Sequence, residues 1–370
     1  PILGRLFGTD GVRGKAGEYP LDVPTVRRIG AALAQTLAKS GAAPRLLAGR
    51  DTRESGTWIE RELAYGLASG GATLVSAGVI PTPAVAYLTP REGFTAGVVI
   101  SASHNPFGDN GIKVFSGTGT KFSEALEAEV EALVFDTSWQ VPEGQAGPVA
   151  QQDFRDDYLK HLRRILPEGA RPNGRIAIDC ANGATTTVAP RVFAELGIDA
   201  RAIGCEPDGR NINLQCGSTA PGALARLVVD GGYQMGIAFD GDGDRAIFVD
   251  SAGRIVDGDA VILMCAKQMK QRGTLAGDAV VATVMSNIGL ELALRDVHDM
   301  LHVLTGYGRD ALGEACVLAF TYSQQPSPAH LFIGYMAGLN MKKQVKSDAP
   351  VLKAVRENES RAISLGYDTD

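Results

Sequence analysis

The sequence predicts an α/β protein built from serial three-layer α/β domains, with mixed, mainly parallel sheets around a central cleft. Short apolar runs of strand length alternate with amphipathic stretches of helical length, which is typical of βαβ units. Polar, glycine-rich loops follow several of the apolar runs, as expected at the carboxyl ends of parallel strands. The chain has 370 residues, which is too many for one compact core and suggests roughly two to three domains.

The N-terminal third shows the alternation most clearly. Three helices are predicted from apolar residues at helical spacing, and they begin near Pro24, Ser55 and Ser123. Apolar runs that predict strands lie between them, at 46–49, 73–77 and 96–100. The order of these elements predicts parallel strands joined by crossover helices.

The same pattern returns after a linker rich in Pro, Gly and Gln at 136–152. A predicted helix around 158–165 leads to a strand at 175–179, and a strand–loop–helix pattern repeats at 235–245 and 279–289. The predicted α/β domains are therefore 1–145, 153–252 and 253–343, followed by a short segment at 344–370.

Composition excludes several classes of protein. The chain has 36 basic and 42 acidic residues, and its net charge of −6 argues against a nucleic-acid binder. No apolar run reaches the roughly 20 residues that cross a bilayer, and no signal-peptide pattern is visible, so we expect a cytoplasmic protein without a membrane partner. The five cysteines form no CxxC pair and the five histidines no HExxH motif, so neither a disulfide framework nor a zinc site is indicated.

The strongest chemical signal is the loop DGDGDR at 240–245, directly after an apolar run at 235–239. Alternate residues of an extended chain project to one side, so the carboxylates of Asp240, Asp242 and Asp244 are expected to converge. Three converging anions require a counter-charge because like charges raise one another's pKa. Mg²⁺ prefers oxygen ligands and is the predicted metal.

Two other interpretations of this loop were open from the residue types alone. A solvated acidic turn remains an alternative. An EF-hand does not, because Arg245 stands at its sixth position, where glycine is required, and Ser251 at its twelfth, where glutamate is required.

A second signal is SASHNP at 101–106, after the apolar run at 96–100. A serine at the tip of a strand is exposed for transfer chemistry, so Ser103 is a candidate nucleophile, and His104 beside it can donate or accept a proton. Lys113 is predicted to return to the same site as a cation or a proton carrier. Taken alone, the segment is also explained as a turn, because Ser, Asn and Pro are ordinary turn residues.

Two arginine-bearing segments are candidates for anion binding. FGTDGVRG at 7–14 combines glycines with Arg13, whose planar guanidinium suits phosphate. A plain glycine-rich loop explains this segment equally well. GRDTR at 49–53 contains two arginines that either bind an anion or pair with acidic neighbours. The favoured interpretation there is ion pairing of Arg50 and Arg53 with Asp51 and Glu54.

Together these segments describe phosphoryl transfer, in which positioning and charge neutralisation supply most of the catalysis. In their order and spacing, FGTDGVRG, ISASHNP and DGDGDR resemble the α-D-phosphohexomutase superfamily. The resemblance runs from residue 4 to about residue 295. The first segment is similar to that of the bacterial members that act on glucosamine phosphate.

The resemblance implies a reaction, cofactors and partners. The reaction would interconvert glucosamine 6-phosphate and glucosamine 1-phosphate through a bisphosphorylated sugar, and so supply a precursor of UDP-N-acetylglucosamine and the cell wall. Mg²⁺, a phosphorylated Ser103 and an activating sugar bisphosphate are the implied cofactors. The implied partner is a phosphorylated hexosamine, bound by a monomer or a homodimer. A phosphoglucomutase or phosphomannomutase activity and non-catalytic sugar-phosphate binding are the alternatives.

The resemblance also implies a role for each matching residue. The residues implied to hold the metal are Ser103, Asp240, Asp242 and Asp244, with Ser103 also carrying the phosphoryl group. Those implied to assist transfer are Arg13, Lys113 and His104. Those implied to contact the substrate are Arg245, Glu314 and Cys316. The three domains would therefore carry the phosphoserine loop, the metal loop and sugar recognition, in that order.

Departures from the family pattern fall in the C-terminal third. At 313–318 the chain reads GEACVL where the family has GEQSGH or similar, so Glu314 matches and Cys316 replaces a serine. TGYGRD at 305–310 also differs from the TGVGDR-type loop. Nothing like an RPSGTEP loop occurs before Asp370. We therefore expect 344–370 to be the remnant or truncated start of a fourth domain, with poor anchoring of the substrate phosphate.

Overall fold

A computed structural model gives the fold over residues 6–8, 10–38, 41, 43–165, 174–283 and 286–295. The chain divides into two compact units, Pro1–Val256 and Asp257–Asp370. The described residues of the first unit form two β-sheets.

The first sheet has six strands, which are β1 (Val12–Lys15), β2 (Arg45–Arg50), β3 (Thr73–Val79), β4 (Ala96–Ile100), β5 (Asp109–Ser116) and β6 (Ala150–Gln151). Their order across the sheet is β1–β5–β4–β2–β3–β6. The pairings among β4, β2, β3 and β6 are parallel, whereas those of β5 with β4 and with β1 are antiparallel. The sheet is therefore mixed and mainly parallel.

Helices cover both faces of this sheet. They are α1 (Val23–Ala38), α2 (Gly56–Ser69), α3 (Thr82–Arg91), α4 (Glu124–Phe135) and α5 (Arg155–Arg163). Leu46 and Ala48 of β2 pack into the core that α1, α2 and α4 share, whereas Leu47 packs into the core on the side of α3 and α5. Successive side chains of a strand point to opposite faces, so this alternation gives a three-layer arrangement.

The second sheet has five strands, which are β7 (Arg175–Asp179), β8 (Asp199–Ile203), β9 (Met235–Phe239), β10 (Ala246–Asp250) and β11 (Ile255–Val256). Their order is β11–β10–β9–β7–β8, with β7 parallel to β8 and β9 and antiparallel pairings beyond β9. Ala177 packs with the helix α7 (Gly222–Asp230), and its neighbours Ile176 and Ile178 pack with α6 (Ala189–Glu195). A short 3-10 helix, Ala184–Thr187, precedes α6.

The sequence pattern found some of these elements and missed others. The predicted helices near Pro24, Ser55 and Ser123 are confirmed as α1, α2 and α4. The pattern missed α3, whose sequence carries prolines near both ends, and β5. The helix predicted after 240–245 is wrong, because the chain turns there and returns as β10, antiparallel to β9.

In the second unit the described elements are α8 (Gly258–Gln271), a 3-10 helix (Ala276–Asp278) and α9 (Ile288–Arg295). Ala266, Val280 and Leu290 are buried in one small apolar cluster. Residues 279–283 form no strand, which differs from the prediction. Within the part of the chain that the structure describes, no helix has both the length and the apolar character needed to cross a membrane.

Candidate active site

Four segments that are distant in the sequence meet at one place in the first unit. β4 leads into the loop of Ser103, and β9 leads into the loop of Asp240. β5, which lies beside β4, carries Lys113, and β1, beside β5, carries Arg13. The order of the first sheet therefore brings Ser103, Lys113 and Arg13 together, and the contact between the loops after β4 and β9 adds the carboxylates.

Ser103 is buried, not exposed as predicted, and lies between a carboxyl group and a guanidinium. Its Oγ donates a hydrogen bond to Oδ2 of Asp240 at 2.5 Å and accepts one from the guanidinium of Arg245 at 2.7 Å. Its backbone φ is +53°, in the left-handed region that non-glycine residues rarely adopt. The hydroxyl is thus held by charged groups at both its donor and its acceptor side.

The three aspartates of the loop converge. Each offers one ligand oxygen, and these oxygens lie within 4.8 Å of one another. Asp240 and Asp242 are buried, whereas Asp244 is exposed. A Cβ at Gly241 would lie only 2.6 Å from the carbonyl oxygen of Ser103, so the close approach of the two loops requires glycine at this position.

Asp242 provides the clearest test of whether this cluster fits a metal. Its Oδ2 accepts from the hydroxyl of Thr82 at 2.6 Å and from Nζ of Lys113 at 2.9 Å. Its Oδ1 is buried and has no hydrogen-bond partner. An unpartnered buried carboxylate oxygen is costly unless a cation binds it. The donor set, all carboxylate oxygens, is the set that Mg²⁺ prefers, so the residues fit a divalent cation.

The pKa shifts of the cluster are those expected where carboxylates are crowded together. Burial and the charge of Asp242 raise the pKa of Asp240 to about 7. Burial also acts against ionisation of Asp242, but the ammonium of Lys113 holds the pKa of Asp242 below its usual value. The pKa of Lys113 is raised although burial opposes its charge, because Asp242 and Asp244 lie beside it. Arg245 also lies near, with Nε 3.4 Å from Oδ2 of Asp240, yet the pKa of Asp240 stays raised, so full ionisation of the cluster calls for further positive charge.

Asp10 links the two cations of the N-terminal segments. Its Oδ2 lies 2.5 Å from the guanidinium of Arg13 and 3.0 Å from Nζ of Lys113. Lys113 also lies 3.2 Å from Oδ2 of Asp244. Burial opposes ionisation of Asp10, yet Lys113 and Arg13 together lower its pKa. Asp10 thus holds Arg13 and Lys113 on one side of the carboxylate cluster.

His104 completes the cluster on the side of the serine. The guanidinium of Arg245 lies 2.7 Å from Nδ1 of His104, and because a guanidinium can only donate, Nδ1 is the acceptor. Burial, followed by the charges of Arg245 and Arg13, lowers the pKa of His104. The imidazole is therefore neutral at pH 7, with its proton on Nε2.

Sequence reasoning missed Asp10 and Thr82. Asp10 lies within FGTDGVRG, in which only the glycines and Arg13 were predicted to bind an anion. Its position in the same segment as Arg13 was the signal that could have identified it. Thr82 begins α3, a helix that the pattern did not predict, and it had no signal of its own. The predicted substrate contacts Glu314 and Cys316, and the segment TGYGRD at 305–310, lie outside the described residues.

A cavity of about 310 Å³ adjoins the cluster. Asp10, Lys113 and Asp244 form its polar wall, and Phe115 and Lys121 lie on the same lining. The charged cluster is therefore open to a space of the size of a small ligand.

Comparison with known proteins identifies the family. Three family models described as phosphoglucomutase/phosphomannomutase α/β/α domains I, II and III match residues 4–141, 156–253 and 257–308. The predicted fold class of serial three-layer α/β domains is thereby confirmed. Among solved structures, a phosphoglucomutase/phosphomannomutase family protein of Burkholderia thailandensis superposes with a TM-score of 0.62 at 25% identity, covering 73% of this chain and 59% of that chain.

A second solved structure, parafusin (phosphoglucomutase) of Paramecium, has a TM-score of 0.63 at 19% identity, covering 80% of this chain and 61% of that chain, and shows the shared fold. The phosphoglucosamine mutase of Solibacter usitatus is 51% identical over 294 residues, which cover 78% of this chain and 65% of that protein. That of Syntrophus aciditrophicus is 44% identical over 311 residues, covering 83% and 69%. The chain spans about 65% of the length of the first two curated relatives that it matches. The chain belongs to the phosphoglucomutase/phosphomannomutase family of the α-D-phosphohexomutase superfamily.

Proposed function

We propose that this chain is a cytoplasmic phosphoglucosamine mutase, which interconverts glucosamine 6-phosphate and glucosamine 1-phosphate. The observation that carries the proposal is the position of Ser103, whose Oγ lies 2.5 Å from Asp240 at the edge of a three-aspartate cluster. The names of its relatives, which are 44–51% identical, support the choice of substrate. Isomerisation of this kind needs a phosphoryl group that leaves the enzyme and returns to it.

Ser103 is the proposed carrier of that group. The free hydroxyl of the bound sugar monophosphate forms a bond to the phosphorus of phosphoserine as the bond to Oγ breaks. The proton of that hydroxyl passes to the released Oγ, and the sugar becomes a bisphosphate. After the bisphosphate has reoriented in the site, Oγ forms a bond to the phosphorus of the other phosphoryl group as its bond to the sugar oxygen breaks, and the proton of Oγ passes to that sugar oxygen. A sugar bisphosphate supplied from solution restores the phosphoserine when it has been lost.

Asp240, Asp242 and Asp244, together with a phosphate oxygen on Ser103, are the proposed ligands of one Mg²⁺. The ion would neutralise charge on the phosphoryl oxygens during transfer. Oδ1 of Asp242, buried and without a partner, is the oxygen that the chain leaves for it.

The remaining polar residues have electrostatic and positioning roles in this proposal. Arg245 contacts the serine oxygen and orients His104. Arg13 and Lys113, fixed by Asp10, present positive charge to the phosphoryl group and, through Lys113, a proton carrier. Such preorganised charge is usually the largest contribution to catalysis of phosphoryl transfer.

The test is transfer of label to Ser103. The purified chain is incubated with Mg²⁺ and a hexose 1,6-bisphosphate labelled on phosphorus, and the labelled peptide is then identified. We expect label on Ser103 in the wild type and none in Ser103→Ala, with Mg²⁺ binding weakened but present in that variant. Ser138→Ala, which changes an exposed serine away from the cluster, is the matched control and should label fully.

Substrate choice is tested separately. Glucosamine 1-phosphate and glucose 1-phosphate are compared under equal conditions, and faster turnover of glucose 1-phosphate would indicate a phosphoglucomutase. Sugar binding without label on Ser103 would favour a non-catalytic binding protein. Free phosphate as the main product would indicate a phosphatase. Any of these outcomes would contradict the proposal.

A further inference from the structure

A fully buried ion pair lies directly beneath the loop of Ser103. Nε of Arg53 donates to Oδ2 of Asp51 at 2.9 Å, and neither side chain has any exposed surface. The pairing of Arg53 with Asp51 was predicted from GRDTR. The other two residues of that prediction do not pair with each other: Nε of Arg50 lies 3.8 Å from Glu60, and Glu54 pairs with Arg210. A buried ion pair adds little stability compared with apolar side chains, so its presence needs another explanation.

The guanidinium of Arg53 is bonded to the backbone of the serine loop. Its Nη2 donates to the carbonyl oxygens of Ser103 at 3.0 Å and Asn105 at 2.8 Å, and its Nη1 donates to that of Pro106. Three carbonyls within four residues thus point at one cation. This contact follows from topology, because β2 and β4 are parallel neighbours in register, so the turn after β2 lies beside the loop after β4.

The same network holds the other side of the Ser103 peptide. Asp51 accepts a hydrogen bond from the hydroxyl of Ser101 at 2.6 Å, and that hydroxyl accepts one from the N–H of Ser103 at 2.9 Å. Asn213, which lies before β9, donates to the carbonyl of Ser103 at 2.9 Å. A left-handed backbone at a non-glycine residue persists only where its surroundings hold it, and here both the N–H and the carbonyl of Ser103 are held.

We propose that Arg53 is a positioning residue for the transfer reaction. By binding the carbonyls of the loop, its guanidinium keeps Ser103 in the left-handed conformation that directs the hydroxyl to Asp240 and Arg245. Arg53 has no hydrogen bond to the three loop aspartates, so it acts on the serine and not on the carboxylate ligands. This inference rests on the proposed function only for its kinetic part, since the conformation of Ser103 is observable without turnover.

The test compares two buried or half-buried arginines that each hold several carbonyls. Arg53→Met removes the cation beneath Ser103, and Asp51→Asn/Arg53→Met removes the unpaired carboxylate as well, so that folding is preserved. The matched control is Arg28→Met, because Arg28 donates to four carbonyl oxygens in the last turn of α4 and just after it, at Leu133, Val134, Asp136 and Trp139. The wild type and these three variants are all studied as the full chain.

The three measurements, which are the conformation of Ser103, its rate of phosphorylation and the Kd for Mg²⁺, are expected to respond differently. In the two Arg53 variants, a crystal structure should show Ser103 outside the left-handed region, and phosphorylation of Ser103 by a hexose 1,6-bisphosphate should slow by about 100-fold, the size expected for a misplaced reacting group. The Kd for Mg²⁺ should rise no further than it does in Ser103→Ala, because the carboxylates are untouched. Asn213→Gly, which removes one of the two donors to the Ser103 carbonyl without adding strain, should slow phosphorylation by about tenfold.

Two outcomes would overturn the inference, and a third would separate it from the proposed function. A left-handed Ser103 with wild-type phosphorylation in the Arg53 variants overturns the inference, and so does an equal loss in Arg28→Met, which would indicate general destabilisation. If the wild type accepts no phosphate but Ser103 still changes conformation only in the Arg53 variants, the positioning role stands and the proposed mutase function fails.

Discussion

The hydroxyl of Thr82 donates to Oδ2 of Asp242 at 2.6 Å, and the backbone N–H of Thr82 donates to the Asp242 carbonyl at 2.8 Å. Thr82 is the first residue of α3, a helix that packs on the first sheet, whereas Asp242 follows β9 of the second sheet. The contact fixes which carboxylate oxygen is occupied and leaves Oδ1 free and buried. A residue outside the metal loop therefore orients one of its candidate ligands.

Thr82→Val should weaken Mg²⁺ binding without unfolding the protein. Valine keeps the shape of threonine but cannot bond Oδ2, so Asp242 loses its fixed orientation, and loss of such a supporting contact typically costs about tenfold in metal affinity. Isothermal titration calorimetry with Mg²⁺ measures the change in metal affinity. Thr89→Val is the matched control, because Thr89 is a buried threonine of the same helix whose hydroxyl bonds the carbonyl of Val85. Equal effects of the two substitutions would contradict the orienting role.

Asp242→Asn should weaken Mg²⁺ binding more strongly, by at least about 100-fold, because it removes a charged ligand and not only its support. Mg²⁺ should raise the Tm of the wild type, since a ligand that binds only the folded state stabilises it, and this shift should be lost in the variant. Differential scanning calorimetry with and without Mg²⁺ measures both. Asp250→Asn changes a carboxylate of the adjacent strand, paired with Arg254, and should leave the shift intact. An undiminished Mg²⁺ shift in Asp242→Asn would remove this residue from the ligand set.

Lys113→Met should have opposite effects on metal binding and on transfer. The ammonium of Lys113 lies 2.9 Å from Oδ2 of Asp242 and repels a cation bound to the same cluster, so its removal should tighten Mg²⁺ binding by at least about fivefold. Phosphorylation of Ser103 should fall, because positive charge near the phosphoryl group is lost. Lys15→Met, at an exposed lysine of β1 paired with Glu18, is the control. Weaker Mg²⁺ binding in Lys113→Met would mean that the lysine supports the site instead of competing with the ion.

Local pattern was sufficient to predict that the three aspartates at 240–244 converge. The alternation of aspartate and glycine at 240–244 carries its chemistry within five residues, and the run of apolar residues before it indicates the strand that places it. Convergence of Asp240, Asp242 and Asp244 could therefore be predicted from the sequence, and the structure places their oxygens within 4.8 Å.

Contacts between distant segments could not be predicted in this way. Arg53 reaches Ser103 across 50 positions and Thr82 reaches Asp242 across 160, and each contact depends on the order of strands within a sheet or on the packing of two sheets. The sequence pattern of a single segment indicates neither the order of strands within a sheet nor the packing of two sheets. Arg53 was correctly assigned an ion pair with Asp51, but the three carbonyls that it also binds become visible only when β2 and β4 are known to be neighbours.

Gly66→Ala should destabilise the first unit without affecting the chemistry directly. Gly66 lies in α2 where the helix crosses α1, and a Cβ there would overlap the carbonyl oxygen of Arg27. Backbone atoms cannot move aside as a side chain can, so the two helices must separate, at a cost of about 3 kcal/mol in the free energy of unfolding. Urea denaturation measures it. Gly56→Ala, at the first residue of the same helix, would meet only the side chain of Arg50 at 3.3 Å, and should be neutral or stabilising by up to about 1 kcal/mol, because alanine favours helix. Equal stability of the two variants would show that α1 and α2 do not pack as closely as described.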